Sequence, residues 1–430
     1  MHEHAEARTS RGIPAAYIII GIAAAAVLPG LILRFSHFSH TPAVEASLLG
    51  VAVLGAAILL GTAAEIAELE VSRSMALAFV ALIAVLPEYA VDFVFAWKAG
   101  GDPAQAHFAT ANMTGGNRLL IGFGWAVVAL LFWNRRRHQP LLLDPRQKLE
   151  MTFLLLATGW AFTIFFRTLV TDGPGGADGS LNIVDSVVLV ALFVAYVVTS
   201  SRGKVAEEHE AVAGPMAAIA ALPRPKRRLV LFLLFVIPAV VIFFVAEPFA
   251  ESLVATGKDL GVDQYFLVQW VAPLASEAPE IGIACYLAIR GMGALAMGVL
   301  ISSKVNQWTL LVGTLPIVYS ISLGALGQLP MDTRQVDEFF ITAAQSLFAV
   351  LLIVAMRMYW PGAVVLLLLF VTQFFFTGET GRLVFSSIYL GLAFLILAAS
   401  NERRQSTWNM LAWAAKGFRA PGPAPVPSKG

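Results

Sequence analysis

Two apolar segments, ALIAVLPEYAVDF at 81–93 and VAPLASEAPEIGI at 271–283, each carry a Pro-Glu pair inside a longer hydrophobic stretch. A proline within a helix removes one backbone donor, so the carbonyl four residues earlier loses its usual helical partner. Such a carbonyl beside the carboxylate of Glu88 or Glu280 forms an oxygen-rich pocket, which is the environment that sodium and calcium ions require. The two segments therefore predict a cation site at membrane depth.

The composition of the whole chain fits a membrane protein. Its 430 residues are 58% hydrophobic and 13% charged, and this charged share is about half that of an ordinary soluble domain. A water-soluble globular protein is therefore excluded. The 29 basic and 28 acidic side chains nearly cancel, so the chain has no net field that would attract nucleic acid. The single cysteine, Cys285, excludes an internal disulfide.

Apolar length and the polar, glycine and proline residues between apolar stretches predict an all-α polytopic membrane protein with about twelve spans. The first span lacks an obvious small-residue cleavage site, so we interpret it as a retained helix and not as a signal peptide. The predicted spans cover roughly 15–33, 43–69, 75–97, 105–133, 150–170, 181–200, 229–256, 264–289, 292–324, 336–356, 360–377 and 382–399.

The basic residues predict how these spans are oriented. Most Lys and Arg side chains outside the spans fall in loops on the same side as the two termini, and the positive-inside rule assigns that side to the cytoplasm. We expect an integral protein of the plasma (inner) membrane with both termini in the cytoplasm. The expected segments are an N-terminal tail at 1–14, a first half at 15–200, a linker at 201–228, a second half at 229–400 and a disordered C-terminal tail at 401–430.

Each Pro-Glu span carries a second acidic residue close to the first. Asp92 lies four residues after Glu88, and Glu277 lies three residues before Glu280. Residues at these separations share a helix face, so each span presents two carboxylates to the same side. Asp92 and Glu277 are predicted either to bind the cation directly or to support the residues that do.

A polar segment follows each Pro-Glu span after a short turn. The segments are HFATANMTGGNRLLIGFGW at 107–125 and GALAMGVLISSKVNQWTLLVG at 293–313. Asn112 and Asn117 offer amide oxygens, and the small residues of both segments permit close helix packing. We expect these segments to complete the cation site.

The whole arrangement occurs twice. The first copy spans about 75–133 and the second about 264–324, and an odd number of spans separates them, so the second copy crosses the membrane in the opposite direction. This predicts two inverted five-helix repeats, spans 2–6 and spans 7–11, with additional terminal helices. Inverted repeats are typical of alternating-access transporters, whose site lies at the midplane between the copies.

These motifs resemble those of the sodium/calcium exchanger (cation/calcium antiporter) superfamily, whose repeats carry T-S-x-P-E and G-N-x-x-G-S-N segments. LPE at 86–88 and SEAPE at 276–280 match the first segment, and ANMTGGN at 111–117 matches the second. GVLISSK at 298–304 is a weaker match. The resemblance covers spans 2–11, about three quarters of the chain.

The resemblance implies which residues bind the transported cation. Glu88 and Glu280 correspond to the paired central carboxylates, and Asn112 and Asn117 to polar ligands from the neighbouring helix. The predicted site further includes Asp92, Glu277, Ser276, Ser302 and Ser303, with Lys304 and Arg118 as basic groups that couple charge to transport. No resident cofactor is implied, since calcium, sodium or protons are cargo.

Two departures from the family pattern concern sodium. Ala84 and Val85 stand where the first repeat usually has Thr-Ser, and Lys304 replaces the Asn that closes the second motif. The lost hydroxyl and amide oxygens weaken any sodium site. An unpaired ammonium at membrane depth is costly, so we expect Lys304 to form an ion pair with a carboxylate of span 3 or span 8.

Arg167 is interpreted as a residue that snorkels to the outer surface.

The predicted function is secondary-active cation antiport by alternating access, with calcium exchanged for sodium or protons. A sodium/proton antiporter without calcium transport is the alternative. An ion channel does not require an inverted duplication, and an intramembrane enzyme would need a motif such as HExxH, GxSxG or GxGD, none of which is present. The predicted partners are inorganic cations and the lipid bilayer. No nucleic acid is expected, and protein partners are not indicated.

Overall fold

The computed structural model describes residues 15–35, 40–67, 86–136, 138–172, 179–202 and 217–418. These residues are largely helical. Eight of their helices are long and apolar enough to cross a membrane, and they lie at Ala16–Phe35, Pro42–Ala63, Pro103–Arg135, Pro145–Thr168, Ile183–Ser201, Arg224–Leu260, Thr333–Ile353 and Glu379–Ala399. The sequence-based expectation of about twelve spans further includes the segments at 75–97, 264–289, 292–324 and 360–377.

The described residues of the first half form seven α-helices. They are α1 (Ala15–Phe35), α2 (Pro42–Ala67), α3 (Leu86–Gly101), α4 (Ala106–Leu119), α5 (Ala126–Arg135), α6 (Lys148–Asp172) and α7 (Ile183–Arg202). A π-helical segment at Leu120–Trp125 joins α4 to α5, so the two form one long polar-to-apolar span. The predicted beginning of span 3, including Ala84 and Val85, lies outside the described residues.

The second half begins within the predicted linker. A short helix α8 (Ala217–Ala220) precedes α9 (Arg224–Leu260), which starts before the predicted boundary at residue 229 because Pro225 fits the first turn of a helix. The remaining helices are α10 (Gln264–Ile289), α11 (Gly293–Asn306), α12 (Val312–Leu323), α13 (Thr333–Ile353), α14 (Trp360–Thr372), α15 (Glu379–Ala399) and α16 (Asn401–Ala415). A second π-helical segment at Gln307–Leu311 joins α11 to α12.

The part of the chain that the structure describes also contains four very short strands, so the all-α prediction is not fully met. Strand β1 (Leu141–Leu142) pairs with β4 (Arg357–Met358), and β2 (Gly179–Leu181) pairs with β3 (Leu329–Met331), both in antiparallel register. Each pair links a connecting segment of the first half to one of the second. Strands of two or three residues contain too little alternation for a sequence pattern to reveal them.

The prediction of a disordered tail at 401–430 is wrong for its first part, because α16 occupies Asn401–Ala415. Ser400 caps this helix by accepting a hydrogen bond from the backbone N–H of Arg403. Met410 is fully buried, and the ring of Phe418 stacks on Phe153 of α6 at 4.9 Å between centroids. These apolar contacts dock the segment on the bundle even though its overall composition is polar.

The innermost helix is α13, with 94% of its membrane-length window buried. Helix α10 packs against α3, α4 and α11, and α3 packs against α4, so the two Pro-Glu helices and the two polar helices meet inside the bundle. A lipid-facing helix shows an apolar outer surface, whereas α13 carries buried Gln, Glu and Ser side chains that need partners within the protein. The site described below lies beside this enclosed core.

Candidate cation site

Four helices bring the motif residues together. Helix α3 carries Glu88 and Asp92, α4 carries the asparagines, α10 carries Glu277 and Glu280, and α11 carries the second polar motif. Both Pro-Glu pairs lie in helices, with Pro279 inside α10. Because Pro279 has no N–H, the helical ladder is open one turn before it, next to the acidic residues.

The carboxylates are enclosed and largely unpartnered. Glu88, Asp92 and Glu277 are at most 2% exposed, and Glu280 is half-buried. Within the described chain, both oxygens of Glu88 and one oxygen each of Asp92, Glu277 and Glu280 are buried and accept no hydrogen bond. Buried carboxylate oxygens without donors are costly unless a cation or a proton occupies them. The group is therefore suited to exchanging one positive species for another.

Glu277 has a more central place than the sequence indicated. It lies close enough to Glu88 for the two carboxyl groups to interact. Its Oε1 accepts a hydrogen bond of 2.7 Å from Nε2 of Gln307. Gln307 is also 3.3 Å from the hydroxyl of Ser303, and Ser303 in turn lies beside Glu280.

Gln307 was not among the predicted site residues. It lies one turn after Ser303, at the start of the π-helical segment that follows α11. The extra residue in a π turn changes which side chains face inward, and such segments are frequent at functional sites. The helical spacing from Ser303 is a signal that could have identified Gln307.

The two asparagines of the first polar motif have different partners. Asn112 donates from Nδ2 to Oδ1 of Asp92 at 2.9 Å, and its own Oδ1 is buried without a donor. Asn117 donates to the backbone carbonyl of Met113, while its Oδ1 accepts a hydrogen bond of 2.6 Å from Lys304. Asn112 thus orients an acid of the site, and Asn117 holds the ammonium.

The predicted ion pair of Lys304 is wrong. Among the described residues no carboxylate lies within ion-pair distance of its ammonium, which is fully buried and instead contacts Asn117 Oδ1 and the ring of Trp308 at 4.3 Å. The amide oxygen and the ring face together stabilise the cation. Glu88 and Glu277 remain close enough to act on it through their charge.

Two predicted serine ligands make contacts outside the carboxylate group. Ser276 donates back to the carbonyls of Ala272 and Pro273 in its own helix. The hydroxyl of Ser302 is 3.4 Å from that of Tyr196 in α7. Ser303 is therefore the serine that the structure brings to the acids.

Arg118 belongs to a separate buried cluster. Its Nη2 lies 2.5 Å from Oε2 of Glu338 in α13, and its guanidinium lies 4.8 Å above the ring of Trp270. Arg382 of α15 extends the cluster with Nη1 at 3.9 Å from Glu338 and Nε at 3.5 Å from Asp337. The sequence placed Arg118 with the central acids, but its long side chain instead pairs with Glu338 and lies over Trp270.

Arg167 also differs from its interpretation as a snorkelling residue. Its guanidinium binds both carboxylate oxygens of Asp185, at 3.1 and 2.8 Å, and Asp185 is only 1% exposed. Such a two-point contact fixes the orientation of both side chains. The pair joins α6 to α7.

Glycines of the first polar motif permit a very close helix contact. A Cβ atom at Gly115 would overlap the backbone carbonyl of Gln269 in α10, and one at Gly116 would lie 3.0 Å from Oε1 of Glu88. The carbonyl of Gln269 has no helical donor, because the residue four positions later is Pro273. Gly115 and Gly116 thus allow α4 to approach α10 and Glu88 directly.

The described residues contain no group of three or more His, Cys, Asp or Glu side chains that is arranged to hold a metal ion. Glu88 and Glu280, the predicted metal ligands, therefore do not belong to such a group within the described residues. Calcium takes six to eight oxygen ligands. Binding a calcium ion here would require carbonyl, amide or water oxygens in addition to the carboxylates.

A second repeated motif, which sequence inspection missed, supports the kinship of the two halves. DPRQKLE at 144–150 and DTRQVDE at 332–338 share the pattern D-x-R-Q-x-x-E. In both, the aspartate accepts a hydrogen bond from the first turn of the next helical segment, and the glutamine is buried. Searching the sequence for self-similarity would have revealed it.

Comparison with known proteins identifies the family. The family described as "Sodium/calcium exchanger protein" matches residues 41–202 and 230–378, well over half of the chain. The crystal structure of the H+/Ca2+ exchanger CAX is 40% identical and covers 94% of this chain and 98% of its own, with a TM-score of 0.85. The structure of native YfkE is 14% identical, covers 87% of this chain and 99% of its own, and has a TM-score of 0.59, which shows similarity of fold alone.

A search of curated protein sequences found no match. The family match and the 40% identity to CAX, which extends over nearly the whole chain, are nevertheless sufficient. They agree with the membrane-length helices and with the positions of the two Pro-Glu motifs. The chain is therefore an integral membrane transporter that belongs to the sodium/calcium exchanger family.

Proposed function

We propose that this protein exchanges calcium for protons by alternating access, with Glu88, Glu277 and Glu280 as the acids that bind either species. The observation that carries the proposal is the set of buried carboxylate oxygens without hydrogen-bond donors. A divalent cation loses much hydration energy on entering the membrane, and negative carboxylates offset that loss. Protons neutralise the same groups, so the two species compete and exchange is coupled.

The choice of protons over sodium rests on Lys304. The resemblance implies an Asn at this position, whose amide oxygen would help to bind sodium, whereas the ammonium of Lys304 is itself a cation. It holds the Oδ1 atom of Asn117, so that oxygen is also unavailable to an incoming ion. The similarity to CAX, described as an H+/Ca2+ exchanger, supports the same choice.

The proposed mechanism requires two inverted repeats, and several features support them. Asn117 and Lys304, the last residues of the two polar motifs, are 187 positions apart in sequence and bond to each other. A π-helical segment begins three residues after each of them. The two strand pairs also exchange under such symmetry, since β1 would correspond to β3 and β4 to β2. The contact between equivalent residues is the expected arrangement near a pseudo-twofold axis.

Proteoliposomes provide the test. With purified protein, we expect calcium uptake to be driven by an outward proton gradient and to be insensitive to sodium. Trans-stimulated uptake would support an antiporter, because a channel does not show it. Calcium uptake that requires sodium would contradict proton coupling, and sodium uptake without calcium uptake would favour the sodium/proton alternative.

We further propose a plasma (inner) membrane location with cytoplasmic termini, in line with the basic-residue bias.

A further inference from the structure

The repeated D-x-R-Q-x-x-E motif places one glutamate in each half at an equivalent position. Glu150 lies near the start of α6 and Glu338 near the start of α13. Each reaches the polar motif helix of the opposite half: Glu338 contacts Arg118 of α4, and Glu150 is linked to Ser302 of α11 through Tyr196. The two glutamates differ in the charged groups that surround them.

Glu338 lies between two arginines. Arg118 lies 2.5 Å from it and Arg382 lies 3.9 Å from it, and all three side chains are at most 10% exposed. An arginine remains charged at any physiological pH. Through these two contacts Glu338 links α4, α13 and α15.

Glu150 has no such partner. The residue of α11 that corresponds to Arg118 is Val305, since each directly follows the last residue of its polar motif. Within the described chain no basic group forms an ion pair with Glu150. Its Oε1 accepts a 3.3 Å hydrogen bond from the Tyr196 hydroxyl, and its Oε2 is buried without a donor.

We propose that Glu150 is a proton-binding residue that positions the motif helix α11 through Tyr196 and Ser302. When Glu150 is ionised, the Tyr196 hydroxyl donates to it and can accept from Ser302. When a proton from solution binds Glu150, its new O–H donates to the Tyr196 oxygen, and the Tyr196 O–H turns to Ser302. The chain of hydrogen bonds then runs in the opposite direction, and no other atom changes its protonation.

The groups that face Glu150 allow this change. Asp144, in the turn before α6, is the charged residue that acts on it, and Lys148 precedes it by two residues on the same helix. From α7 it meets Tyr196, and from α11 the uncharged Ser302 lies beyond that tyrosine. After α16, the described residues contribute the ring of Phe418, which stacks on Phe153 one turn further along α6.

The consequence for transport is a pH response on one face of the membrane. Ser302 is adjacent in sequence to Ser303, which lies beside Glu280 and accepts from Gln307. A change at Ser302 therefore reaches a helix that lines the cation site. Glu338, which is held by two arginines, gives no equivalent response. This consequence rests on the proposed calcium/proton exchange, but proton binding by Glu150 does not.

Infrared difference spectra of the purified protein between acidic and alkaline pH test proton binding without transport. We expect Glu150→Gln to remove one protonated-carboxyl band, and Tyr196→Phe to retain that band at a shifted frequency, because a hydrogen bond to the carboxyl is lost. Glu45→Gln is the matched control, since Glu45 also lies in the first turn of a membrane-length helix. It should leave the band assigned to Glu150 unchanged.

Unchanged carboxyl bands in Glu150→Gln would overturn the proposal, and an unshifted band in Tyr196→Phe would overturn the link to α11. In proteoliposomes, both variants should shift the pH midpoint of calcium exchange when pH is varied on the side of β1 and β4. Identical midpoints in both variants and the wild type would also overturn that link. If the wild type exchanges no calcium for protons while the Glu150 band is still lost, the proposed function fails and proton binding by Glu150 stands.

Discussion

Single side chains decide what this site can bind, because a charge within a membrane is costly unless an opposite charge, a hydrogen-bond partner or an aromatic ring face lies beside it. Glu88 and Glu277 are nearly inaccessible, yet three of their four carboxylate oxygens have no hydrogen-bond donor in the described chain. Lys304 contributes a positive charge nearby, but through an amide and a ring instead of a carboxylate. The acids therefore remain open to a transported cation.

Replacing Glu277 with Gln tests its central place. The amide retains the volume of the side chain but loses the negative charge that offsets cation dehydration, so we expect calcium exchange to fall by about 100-fold or more, equivalent to about 2.7 kcal/mol. Initial rates in proteoliposomes measure the loss, and size-exclusion chromatography checks folding. Glu379→Gln, in the exposed first turn of α15, is the control and should retain transport. Normal exchange by folded Glu277→Gln would remove Glu277 from the site.

Replacing Lys304 with Asn tests the origin of ion coupling. The variant restores the amide of the family pattern and removes the buried ammonium, so calcium exchange should gain a dependence on sodium and lose part of its dependence on pH. The measurement is the calcium flux with sodium and pH varied one at a time. Lys304→Met removes the charge without adding an oxygen, so it should lose pH dependence without gaining sodium dependence. If Lys304→Asn has the same ion profile as the wild type, Lys304 is structural.

Reasoning from sequence identified the acids but not all of their partners. Glu88 and Glu280 could be predicted from the sequence because a Pro-Glu pair in an apolar span is rare and occurs twice. The contacts of Lys304 and Arg118 were not, since a long flexible side chain can reach several neighbours and only packing selects one. Asn117 and Glu338 lie far away in sequence from the cations that they bind, as their separations of 187 and 220 residues show.

At the scale of helices, apolar length predicted most boundaries to within a few residues. The exceptions have local causes: α16 is stabilised by burial of Met410 and the aromatic contact of Phe418, which no hydropathy average records. The four strands are too short to show a pattern. The close approach of α4 and α10 was partly anticipated from small residues, but its pairing with the free carbonyl of Gln269 was not.

Gly115→Ala tests that approach. The added Cβ would overlap the Gln269 carbonyl, so α4 and α10 must separate, and we expect a loss of stability of about 1–3 kcal/mol together with weakened exchange. Thermal unfolding in detergent and calcium flux measure the two effects. Gly282→Ala in α10 is the matched control, because no atom lies within 4 Å of the position of its Cβ. Equal stability of Gly115→Ala and the wild type would show that the contact is not tight.

At the scale of the whole molecule, two different sequence motifs each occur twice, and both repeats support the same symmetry between the two halves. The Pro-Glu and polar motifs repeat around the cation site, and D-x-R-Q-x-x-E repeats where each half supports the motif helix of the other. The two strand pairs join the halves at connecting segments that the symmetry would place on opposite faces. The symmetry is incomplete at Lys304 and Val305, which replace the residue types of Asn117 and Arg118. Each half therefore carries one basic residue at these two positions, but at the first position in one half and at the second position in the other.

The inverted repeats that we propose would place the two strand pairs on opposite faces of the membrane, and this expectation can be tested because the chain has one cysteine. In a Cys285→Ala background, Leu142→Cys places a thiol on β1 and Leu326→Cys places one shortly before β3, at positions that are 62% and 84% exposed. An impermeant maleimide applied to intact cells should label Leu326→Cys, whereas Leu142→Cys should react only after permeabilisation. The background variant without either cysteine should not be labelled. Labelling of both cysteines from one side would contradict the inverted repeat, since equivalent segments of inverted halves must lie on opposite faces.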